Sequence, residues 1–522
     1  METTIKADVL IIGAGPTGLS LAAQLVRHEI DFVIIEKNEA LTPFSKAIGV
    51  QARTLEIYEQ IGLAQKAVEQ GAIAGKARMV VGGEIRAEID LSNIGQGLSA
   101  YPYMLLLEQS KNEQLLYEYL QRKGKEVLWK AEFKSLSQTN TGTSAQIVTA
   151  TGSSQTIEAK YLVGCDGAKS LVRHELGLEF QGSTVERMFF VADVQVDWKF
   201  SHDALHVCLS QDSLLAFFPL KGDKRYRIVG SFPEEFPKDE GEVLYEEIEQ
   251  RIKEKAQLDL DIHDVDWFST YKVHTRHVNK FSEGRCFLAG DSAHIHTPAG
   301  GQGMNTGIQD GYNLAWKVAL VLEGKARETL LETYNEERLE NAKNLTRSTD
   351  RMFQFLASSE WFLAFLRTNV LPAMAKYILS LDSARHFMFT LISQIGINYR
   401  HSSLSQHAGD ENFTVKAGDR MPYFLIDGQS VYDKLRGPKF HLLVFSAQQN
   451  DSQSLKADLE SQYAELVDFH EFPLHPQAAK AFGTDLSFSV LLRPDNYIGY
   501  LSTEVSLKAL SLYLRNFPAY RQ

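Results

Sequence analysis

Gly13-Ala14-Gly15-Pro16-Thr17-Gly18 is the stretch of sequence that sets the fold, because it has the G-x-G-x-x-G spacing between two regular elements. Ala7 to Ile12 before it predicts a buried strand, and Leu19 to His28 after it predicts a helix. Phe32 to Glu36 predicts a second strand. Glycines at these positions permit a tight turn and close approach of the backbone to a pyrophosphate, which the helix N-terminus attracts. The segment therefore predicts a βαβ unit that binds a dinucleotide.

Glu36 ends the second predicted strand and follows the last glycine by 18 residues. A carboxylate there can accept hydrogen bonds from both ribose hydroxyls of an adenosine. NAD and FAD share this motif, so it does not identify the dinucleotide. A glycine turn without a ligand stays open as the structural alternative.

A second motif, Asp166-Gly167-Ala168-Lys169-Ser170, follows the predicted strand Tyr161 to Cys165. An Asp-Gly pair at a strand end makes a sharp turn, and the hydroxyl of Ser170 can cap the helix that begins there. A strand, turn and helix without a ligand would explain this segment equally well.

The third motif runs from Gly290 to Asn305. Asp291 leaves a buried strand, where its carboxylate can accept hydrogen bonds from polyol hydroxyls. Pro298 and the following glycines expose backbone against which a flat ring can lie. The helix that starts near Gly303 directs its positive end at this position. Since a reduced flavin carries negative charge near N1 and the C2 carbonyl, the motif predicts a flavin site.

The composition restricts the class of protein. At 522 residues the chain predicts two or three domains. Its net charge of −12 argues against a nucleic-acid partner, because phosphate backbones attract basic surfaces. Cys165, Cys208 and Cys286 are too widely spaced for a disulfide framework or a zinc site, so we expect no metal and a cytoplasmic location. The N-terminus lacks the pattern of a secretion signal.

The residue pattern changes twice in the rest of the chain, near residue 180 and again near residue 401. Short alternating runs from about 180 to 275 predict an antiparallel sheet inserted into a discontinuous nucleotide domain. Residues 401 to 411 are polar and predict a linker, after which a small α/β domain is expected. The apolar stretch from Phe355 to Leu381 predicts helices packed on a domain or subunit face, with membrane association as the alternative.

Together these motifs resemble the class A flavoprotein hydroxylases, of the para-hydroxybenzoate and phenol hydroxylase kind. The resemblance covers nearly the whole chain and is strongest with the subgroup that acts on phenols, aromatic polyketides and antibiotics. It implies an α/β fold with a Rossmann-like FAD-binding domain of the glutathione reductase type, formed by residues 1–178 and 276–400. An inserted antiparallel β-sheet substrate domain would cover 179–275, and a thioredoxin-like domain 401–522.

The resemblance implies an FAD-dependent monooxygenase that uses NADPH or NADH and O2 to hydroxylate an aromatic substrate through a C4a-hydroperoxyflavin. Inactivation of a tetracycline or rifamycin type of antibiotic, or epoxidation of an alkene, would use the same machinery. An NAD(P)-linked dehydrogenase and a redox-silent flavin-binding scaffold are the competing classes. A homodimer is compatible with the sequence.

The family motifs carry over to particular residues of this chain. Arg53 matches an arginine near the flavin and pyrophosphate, and Gln109 matches a glutamine at the ribityl region. Lys46 stands where relatives often have arginine, and Glu108 replaces a common proline. The C-terminal region has no cysteine, so a thioredoxin-like redox role is excluded there. The implied cofactor-binding residues are Gly13, Ala14, Gly15, Pro16, Gly18, Glu36, Lys37, Lys46, Arg53, Gln109, Asp166, Gly167, Asp291, Pro298, Gly301, Gly303, Met304 and Asn305. Among them, Pro298, Gly301 and Gly303 would position the flavin; no side chain is assigned as a catalytic base.

The substrate residues are expected on the inserted sheet. Leu215, Phe217, Phe218 and Pro219 are candidates for one wall of an apolar cavity, and ordinary sheet core is the alternative. Arg225 could orient a polar substrate group, as could His206, Arg227 and Arg276; a solvated surface position is the alternative for each of these four. His294 and His296 lie beside the flavin motif, but without an acidic or cysteine partner at ligand spacing they do not predict a metal site.

Overall fold

A computed structural model describes residues 4–210, 214–233, 241–297, 300–357, 361–378, 380–408, 413–446 and 452–515. The helices are α1 Pro16–Arg27, α2 Ala52–Glu59, α3 Ala64–Gln70, α4 Gln109–Arg122, α5 Leu171–Glu175, α6 Tyr245–Ala256, α7 Gly303–Leu322, α8 Glu332–Ala357, α9 Trp361–Phe365, α10 Leu371–Ile378, α11 Asp382–Ile392, α12 Gln453–Tyr463, α13 Pro476–Phe482 and α14 Leu507–Arg515.

The strands are β1 Ile5–Ile12, β2 Phe32–Glu36, β3 Gly49–Val50, β4 Ala72–Ala74, β5 Lys76–Val81, β6 Glu84–Asp90, β7 Met104–Leu106, β8 Val127–Trp129, β9 Glu132–Gln138, β10 Thr143–Val148, β11 Ser154–Gly164, β12 Phe180–Trp198, β13 Ala204–Leu209, β14 Leu214–Pro219, β15 Arg225–Ser231, β16 Leu260–Val278, β17 Ser282–Glu283, β18 Cys286–Leu288, β19 His294–Ile295, β20 Gln406–Ala408, β21 Leu425–Ile426, β22 Gln429–Ser430, β23 Phe440–Ser446, β24 Val467–Pro473, β25 Phe488–Leu492 and β26 Ile498–Ser502.

The first sheet contains the elements that carry the three sequence motifs. Its strands β18, β11, β1, β2 and β8 lie side by side and run parallel. Ile12 pairs with Gly164, and Gly164 pairs with Leu288, so β1, β11 and β18 end at the same edge. The carboxyl edge of a parallel sheet is where such folds bind ligands. The sheet therefore brings together motifs that are more than a hundred residues apart.

The second sheet has eight strands in the order β19, β16, β12, β15, β14, β13, β5, β6. It extends beyond the 179–275 region, because β5 and β6 come from residues 76–90 and pair onto its edge strand β13. Within the 179–275 region, β12 to β16 pair antiparallel, as predicted, and β5 adds to β13 in the parallel direction. This strand addition supplies hydrogen-bonding partners to a backbone edge that would otherwise be open.

The C-terminal region forms a third sheet in the order β20, β26, β25, β23, β24. β20 lies within the predicted linker, so that prediction was wrong at residues 406–408; backbone pairing does not require the apolar side chains by which we predicted strands. The core of this region includes Trp316 and Leu320 of α7 beside Phe440 and Leu442 of β23. It is therefore packed directly on the nucleotide-binding part of the chain.

The apolar stretch from Phe355 to Leu381 forms α9, a π-helical turn at Leu366–Val370, and α10. Residues 358–360 and 379 of this stretch lie outside the described residues. Among the described helices of the chain, none combines the length and the apolar character needed to cross a bilayer.

Candidate functional site

The three motifs are joined by backbone hydrogen bonds at the carboxyl edge of the first sheet. The N–H of Gly13 donates to the Ile35 carbonyl at 2.8 Å, and the N–H of Cys165 donates to Ile12 at 2.8 Å. The N–H of Ala289 donates to the Gly164 carbonyl at 3.0 Å. These bonds fix the starting points of all three loops relative to one another.

The glycine loop leaves room beside one of its residues. Gly13 has φ of +105°, a conformation that side chains disfavour, and a Cβ added at Gly18 would lie 2.0 Å from the Gly13 carbonyl oxygen. A Cβ added at Gly15 would meet no described atom within 4 Å. Pro16 is the first residue of α1, and no described side chain caps that helix. Gly15 therefore borders open space in front of a helix N-terminus, which suits a phosphate group.

Glu36 lies against the glycine loop. Its Oε2 accepts a hydrogen bond from the Ala14 N–H at 3.0 Å. Its Oε1 accepts from the backbone N–H of Asn38 at 3.0 Å and from the Asn38 side-chain amide at 2.6 Å. Lys37 beside it is exposed. The carboxylate thus holds the end of β2 onto the loop at the position where the ribose was expected.

Asp166 shapes the turn of the second motif. Its Oδ2 accepts from the N–H groups of Leu171 at 2.8 Å and Val172 at 3.1 Å, while its buried Oδ1 has no described partner. Gly167 has φ of +79°, which a sharp turn requires. One carboxylate oxygen is therefore available to a ligand.

The third motif forms a loop, Gly300 to Asn305, which we call the flavin loop. Gly300 and Gly301 both have positive φ, at +79° and +61°. The side chain of Asn305, which is fully buried, donates to the carbonyls of Gly49 at 2.8 Å and Gly301 at 2.9 Å. Gln51 donates to the Gly300 carbonyl at 3.0 Å. These side chains hold the exposed backbone of the loop in one conformation.

Gly303 begins α7, and no described side chain caps its first turn. Met304 follows at that end, where its sulfur accepts from the Asn112 amide at 3.6 Å. The uncapped N–H groups and the helix dipole present positive potential to whatever lies in front of them. Pro298, expected to position the flavin, lies outside the described residues.

Asp291 faces the groove between these loops. Its side chain is exposed to the groove. The surrounding loops reduce the solvation of its carboxyl and thereby raise its pKa, while His294 and Lys46 oppose this shift.

Two histidines of the same segment keep buried atoms without a described partner. His294 Nε2 is 2.8 Å from Asp310 Oδ2, while its Nδ1 has no partner among the described residues. His296 Nδ1 lies 2.8 Å from the Thr297 carbonyl, and its buried Nε2 is likewise without a described partner. Burial lowers the pKa of His296 to about 4, so this imidazole is neutral near pH 7.

Gln109, the first residue of α4, connects this helix to the segment before β3. Its Oε1 accepts from the Ala47 N–H at 3.2 Å, and its Nε2 donates to Glu113 Oε1 at 2.8 Å. Burial raises the pKa of Glu113 to about 7, and Glu36 adds to this effect. We did not predict Glu113 from the sequence, although it stands four residues after Gln109 and therefore shares its helix face.

Arg53 is held by partners on α2, on α7 and in the C-terminal region. Its guanidinium donates to the Asp495 carbonyl at 2.8 Å and to Glu56 at 3.1 Å, and stacks over the rings of Tyr312 and Tyr497. Tyr312 is nine residues along α7, about 13 Å from the helix start at a rise of 1.5 Å per residue. The expectation that this side chain lies near the flavin and pyrophosphate stays a prediction.

The predicted substrate wall is divided between the two faces of the second sheet. Leu215 and Phe217 are buried in the core formed with α6, so the structure assigns them to sheet core and their prediction as cavity residues was wrong. Phe218 points to the opposite face, because side chains alternate along a strand. It packs on an apolar cluster that contains Leu205 and Phe389. Pro219 is buried at the end of β14.

The apolar cluster around Phe218 borders the flavin loop. Ile48 packs on this cluster, and the neighbouring Gly49 approaches Gly301 so closely that an added Cβ would lie 3.5 Å from its carbonyl oxygen. The face of the sheet that carries Phe218 and the flavin loop are thus adjacent. This is the space in which a substrate could meet a flavin.

Two of the four predicted polar candidates are buried rather than solvated. His206 is fully buried and stacks on Phe200, while Arg227 makes a bidentate pair with Asp193 at 2.7 Å. The surface interpretation was wrong for these two, since aromatic and charged partners on neighbouring strands cover them.

Arg225 and Arg276 are half-buried. Arg225 lies 3.5 Å from Glu108, which precedes α4, and 2.6 Å from Asp266 of β16. Arg276 donates to Thr184 at 3.2 Å.

The residues of the groove fit an FAD. Open space at Gly15 in front of α1 suits a pyrophosphate, and the uncapped start of α7 suits the negative edge of a flavin ring. Unpartnered buried atoms of Asp166, His294 and His296 offer further hydrogen bonds. Unsatisfied polar atoms at such a site are expected to find partners on a ligand.

Comparison with known proteins agrees with this geometry. A family model described as FAD binding domain matches residues 6–349. The chain is 32% identical to a flavin-dependent monooxygenase of Mycobacteroides abscessus, over 95% of this chain and 97% of that protein. It is 30% identical to the 6-methylpretetramide 4-monooxygenase of Streptomyces rimosus, over 94% and 90% of the two chains.

Among solved structures, the anhydrotetracycline hydroxylase OxyS of Streptomyces rimosus is similar along its whole length. The TM-score is 0.79 at 28% identity, with 99% of this chain and 100% of that chain covered. The likeness extends through the nucleotide-binding, substrate and C-terminal parts.

Proposed function

The chain belongs to the FAD binding domain family of flavin-dependent monooxygenases, and from this premise we propose that NADPH or NADH reduces it for hydroxylation of a phenolic or polyketide-like substrate by O2. It is an FAD-dependent aromatic monooxygenase. The observation that carries the proposal is the adjacency of the flavin loop and the apolar face around Phe218.

The chain's own residues would hold the cofactor at three points. Gly13, Gly15 and Gly18 would surround the pyrophosphate, with Glu36 at the adenosine ribose. Asp166 and Asp291 would accept hydrogen bonds from hydroxyl groups, and the N–H groups from Gly303 to Asn305 would stabilise negative charge at the pyrimidine edge. When bound, FAD supplies the redox chemistry that activates O2.

The substrate would lie between Phe218 and the flavin loop. Apolar walls exclude water from that space, which prevents the activated oxygen from reacting with water instead of with the substrate. Since hydroxyl and amino groups activate an aromatic ring towards electrophilic oxygen, no catalytic base is required. Arg225, half-buried between Glu108 and Asp266, would orient a polar end of a large substrate.

The C-terminal region acts as a thioredoxin-like structural domain in this proposal. Its Arg493 forms a fully buried ion pair with Glu337 of α8, its Asp495 accepts a hydrogen bond from Trp316 of α7, and thiol redox activity is ruled out by the lack of cysteines after residue 400. Cys165, Cys208 and Cys286 are buried as free thiols, which fits a reducing cytoplasmic setting. A homodimer is also compatible with this assignment.

Oxidation of NADPH and NADH by the purified protein tests the proposal. The protein should be yellow, with absorbance near about 450 nm, and its oxidation of one nicotinamide should accelerate with a suitable substrate. The panel should contain simple phenols, aromatic polyketides, tetracyclines and rifamycins. The product should be heavier by about 16 Da, and by about 18 Da under 18O2. A colourless protein that takes up no flavin would overturn the proposal.

A further inference from the structure

The chain after α11 contains a buried residue in a strained backbone conformation. Gln394 has φ of +62°, in the left-handed region, and its side chain is only 2% exposed. Residues with side chains occupy this region at a cost, and they persist there when surrounding contacts hold them. The contacts of its side chain therefore keep Gln394 in this conformation.

The side-chain amide of Gln394 holds the flavin loop and the first turns of α7. Its Nε2 donates to the Gln302 carbonyl at 3.3 Å and to the Thr306 hydroxyl at 2.9 Å. Its Oε1 accepts from Gln309 Nε2 at 2.6 Å. One amide thus joins the last loop residue before α7 to the first two turns of that helix.

Gln394 differs from the other side chains that hold this loop. Gln51 follows β3 and Asn305 lies in the first turn of α7, whereas Gln394 lies two residues after α11. α11 packs against the substrate side, where Phe389 lies in the same apolar cluster as Leu205 and Phe218. Gln394 therefore belongs to the segment that closes the substrate space.

Close contacts along α11 and after its end leave this helix little room to move relative to the flavin loop. A Cβ added at Gly95 would lie 2.2 Å from the Phe389 ring, so this ring is in tight contact with the loop beneath it. At the end of α11, the Ser393 carbonyl accepts from the Arg53 N–H at 3.2 Å. Gln394 follows at once and is bonded to α7. Close-packed contacts of this kind transmit displacements.

We propose that Gln394 is a positioning residue that couples occupancy of the substrate space to the conformation of the flavin loop. The inference rests on the proposed function, because it requires a substrate beside Phe218 and Phe389. A substrate that presses on Phe389 displaces α11, and the Gln394 amide then moves the Gln302 carbonyl. Binding of substrate beside Phe389 thereby changes the conformation of the flavin loop.

Two variants and one control test this coupling in the FAD-loaded protein. Gln394→Gly and Gln394→Asn both suit a left-handed backbone, and neither can reach Gln302. Leu391→Ala is the matched control, because Leu391 lies on α11, is 54% exposed, and lines the same cavity as Gln394 and Gln302, while its apolar side chain cannot hydrogen-bond to the flavin loop. FAD affinity should stay within about threefold of wild type in all three. The flavin absorption shift caused by an aromatic substrate should fall about fivefold or more in both Gln394 variants, and remain in the control.

Hydrogen exchange of the wild-type protein gives a second measurement. Substrate should change the protection from exchange of both the 388–394 and the 300–306 peptides. A change confined to the 388–394 peptide would overturn the coupling. An unchanged absorption shift in both Gln394 variants would overturn it as well. If no aromatic compound perturbs the wild-type flavin, the proposed function fails instead. The coupling is then decided without substrate: faster exchange of the 300–306 peptide in Gln394→Gly than in Leu391→Ala supports it, and equal exchange overturns it.

Discussion

Arg493 of the C-terminal domain and Glu337 of α8 form an ion pair that is completely buried. Their closest atoms are 2.5 Å apart, and neither side chain has measurable exposure. Lys317 of α7 also lies 2.8 Å from Glu337, and burial lowers its pKa to about 8. Burial by itself would raise the pKa of Glu337, but Arg493 and Lys317 hold it below its usual range. The C-terminal domain is thus attached to the helix that presents its N-terminus to the flavin site.

Removal of this carboxylate should strongly destabilise the protein. Glu337→Ala leaves the buried Lys317 without its carboxylate partner and Arg493 with Asp495 alone, a loss of about 3–5 kcal/mol. The measurement is chemical unfolding at pH 7. Glu460→Ala serves as the control, because Glu460 and Lys456 are more than half exposed and such pairs contribute about 0–1 kcal/mol. Equal unfolding midpoints for the two variants would contradict this account of the domain contact.

The glycine loop predicts different defects for two similar variants. Gly15→Ala should fold normally, within about 0.5 kcal/mol of wild type, because its Cβ enters open space. It should weaken FAD binding tenfold or more, about 1.4 kcal/mol, since that space is where the pyrophosphate is expected. Gly18→Ala should impair folding itself, because its Cβ would meet the Gly13 carbonyl at 2.0 Å. Flavin fluorescence titration and thermal unfolding measure the two effects, and unchanged FAD affinity in Gly15→Ala would remove the pyrophosphate from this position.

The raised pKa of Glu113 predicts that the difference in stability between wild type and Glu113→Gln depends on pH. Its folded-state pKa of about 7 lies above the ordinary value, so the folded protein retains a proton that the unfolded chain loses. Wild type should therefore lose stability relative to Glu113→Gln as pH rises from about 4.5 to 7, by roughly 3 kcal/mol at most. Below that window the two proteins should be equal. Glu118→Gln on the same helix is the control, as Glu118 is 41% exposed; unfolding from pH 4 to 8 should show no such trend for it.

Neighbouring phenylalanines of β14 should behave differently. Phe217→Ala opens a cavity in the core under α6 and should cost about 3–5 kcal/mol of stability. Phe218→Ala removes an only partly buried ring from the substrate side, so the loss of stability should be smaller. Its KM for the aromatic substrate should rise about tenfold, since burial of one such side chain contributes about 1.5–3 kcal/mol. Thermal unfolding and steady-state kinetics decide between the faces; a large KM change in Phe217→Ala alone would reverse the assignment.

The nucleotide-binding part could be predicted from the sequence because its signals are local. The spacing of Gly13, Gly15 and Gly18 follows from backbone geometry that any dinucleotide site imposes, and the predicted strands before each motif are present. The structure adds the parallel register that brings the ends of β1, β11 and β18 to one edge. FAD as the cofactor class followed from these motifs without knowledge of a single tertiary contact.

The sequence by itself determined which backbone segments could bind the cofactor, because glycines and helix starts carry that information within a few residues. Only the tertiary structure decided where side chains point. Arg53 turned to Asp495, which is 442 positions away, and Phe217 and Phe218 separated onto opposite faces of their sheet. Gln394 had no local signal at all, since its contacts with Gln302 and Thr306 exist only after α11 packs on the substrate side. Side-chain contacts between residues distant in the chain depend on how the elements pack together, and a local sequence pattern does not predict them.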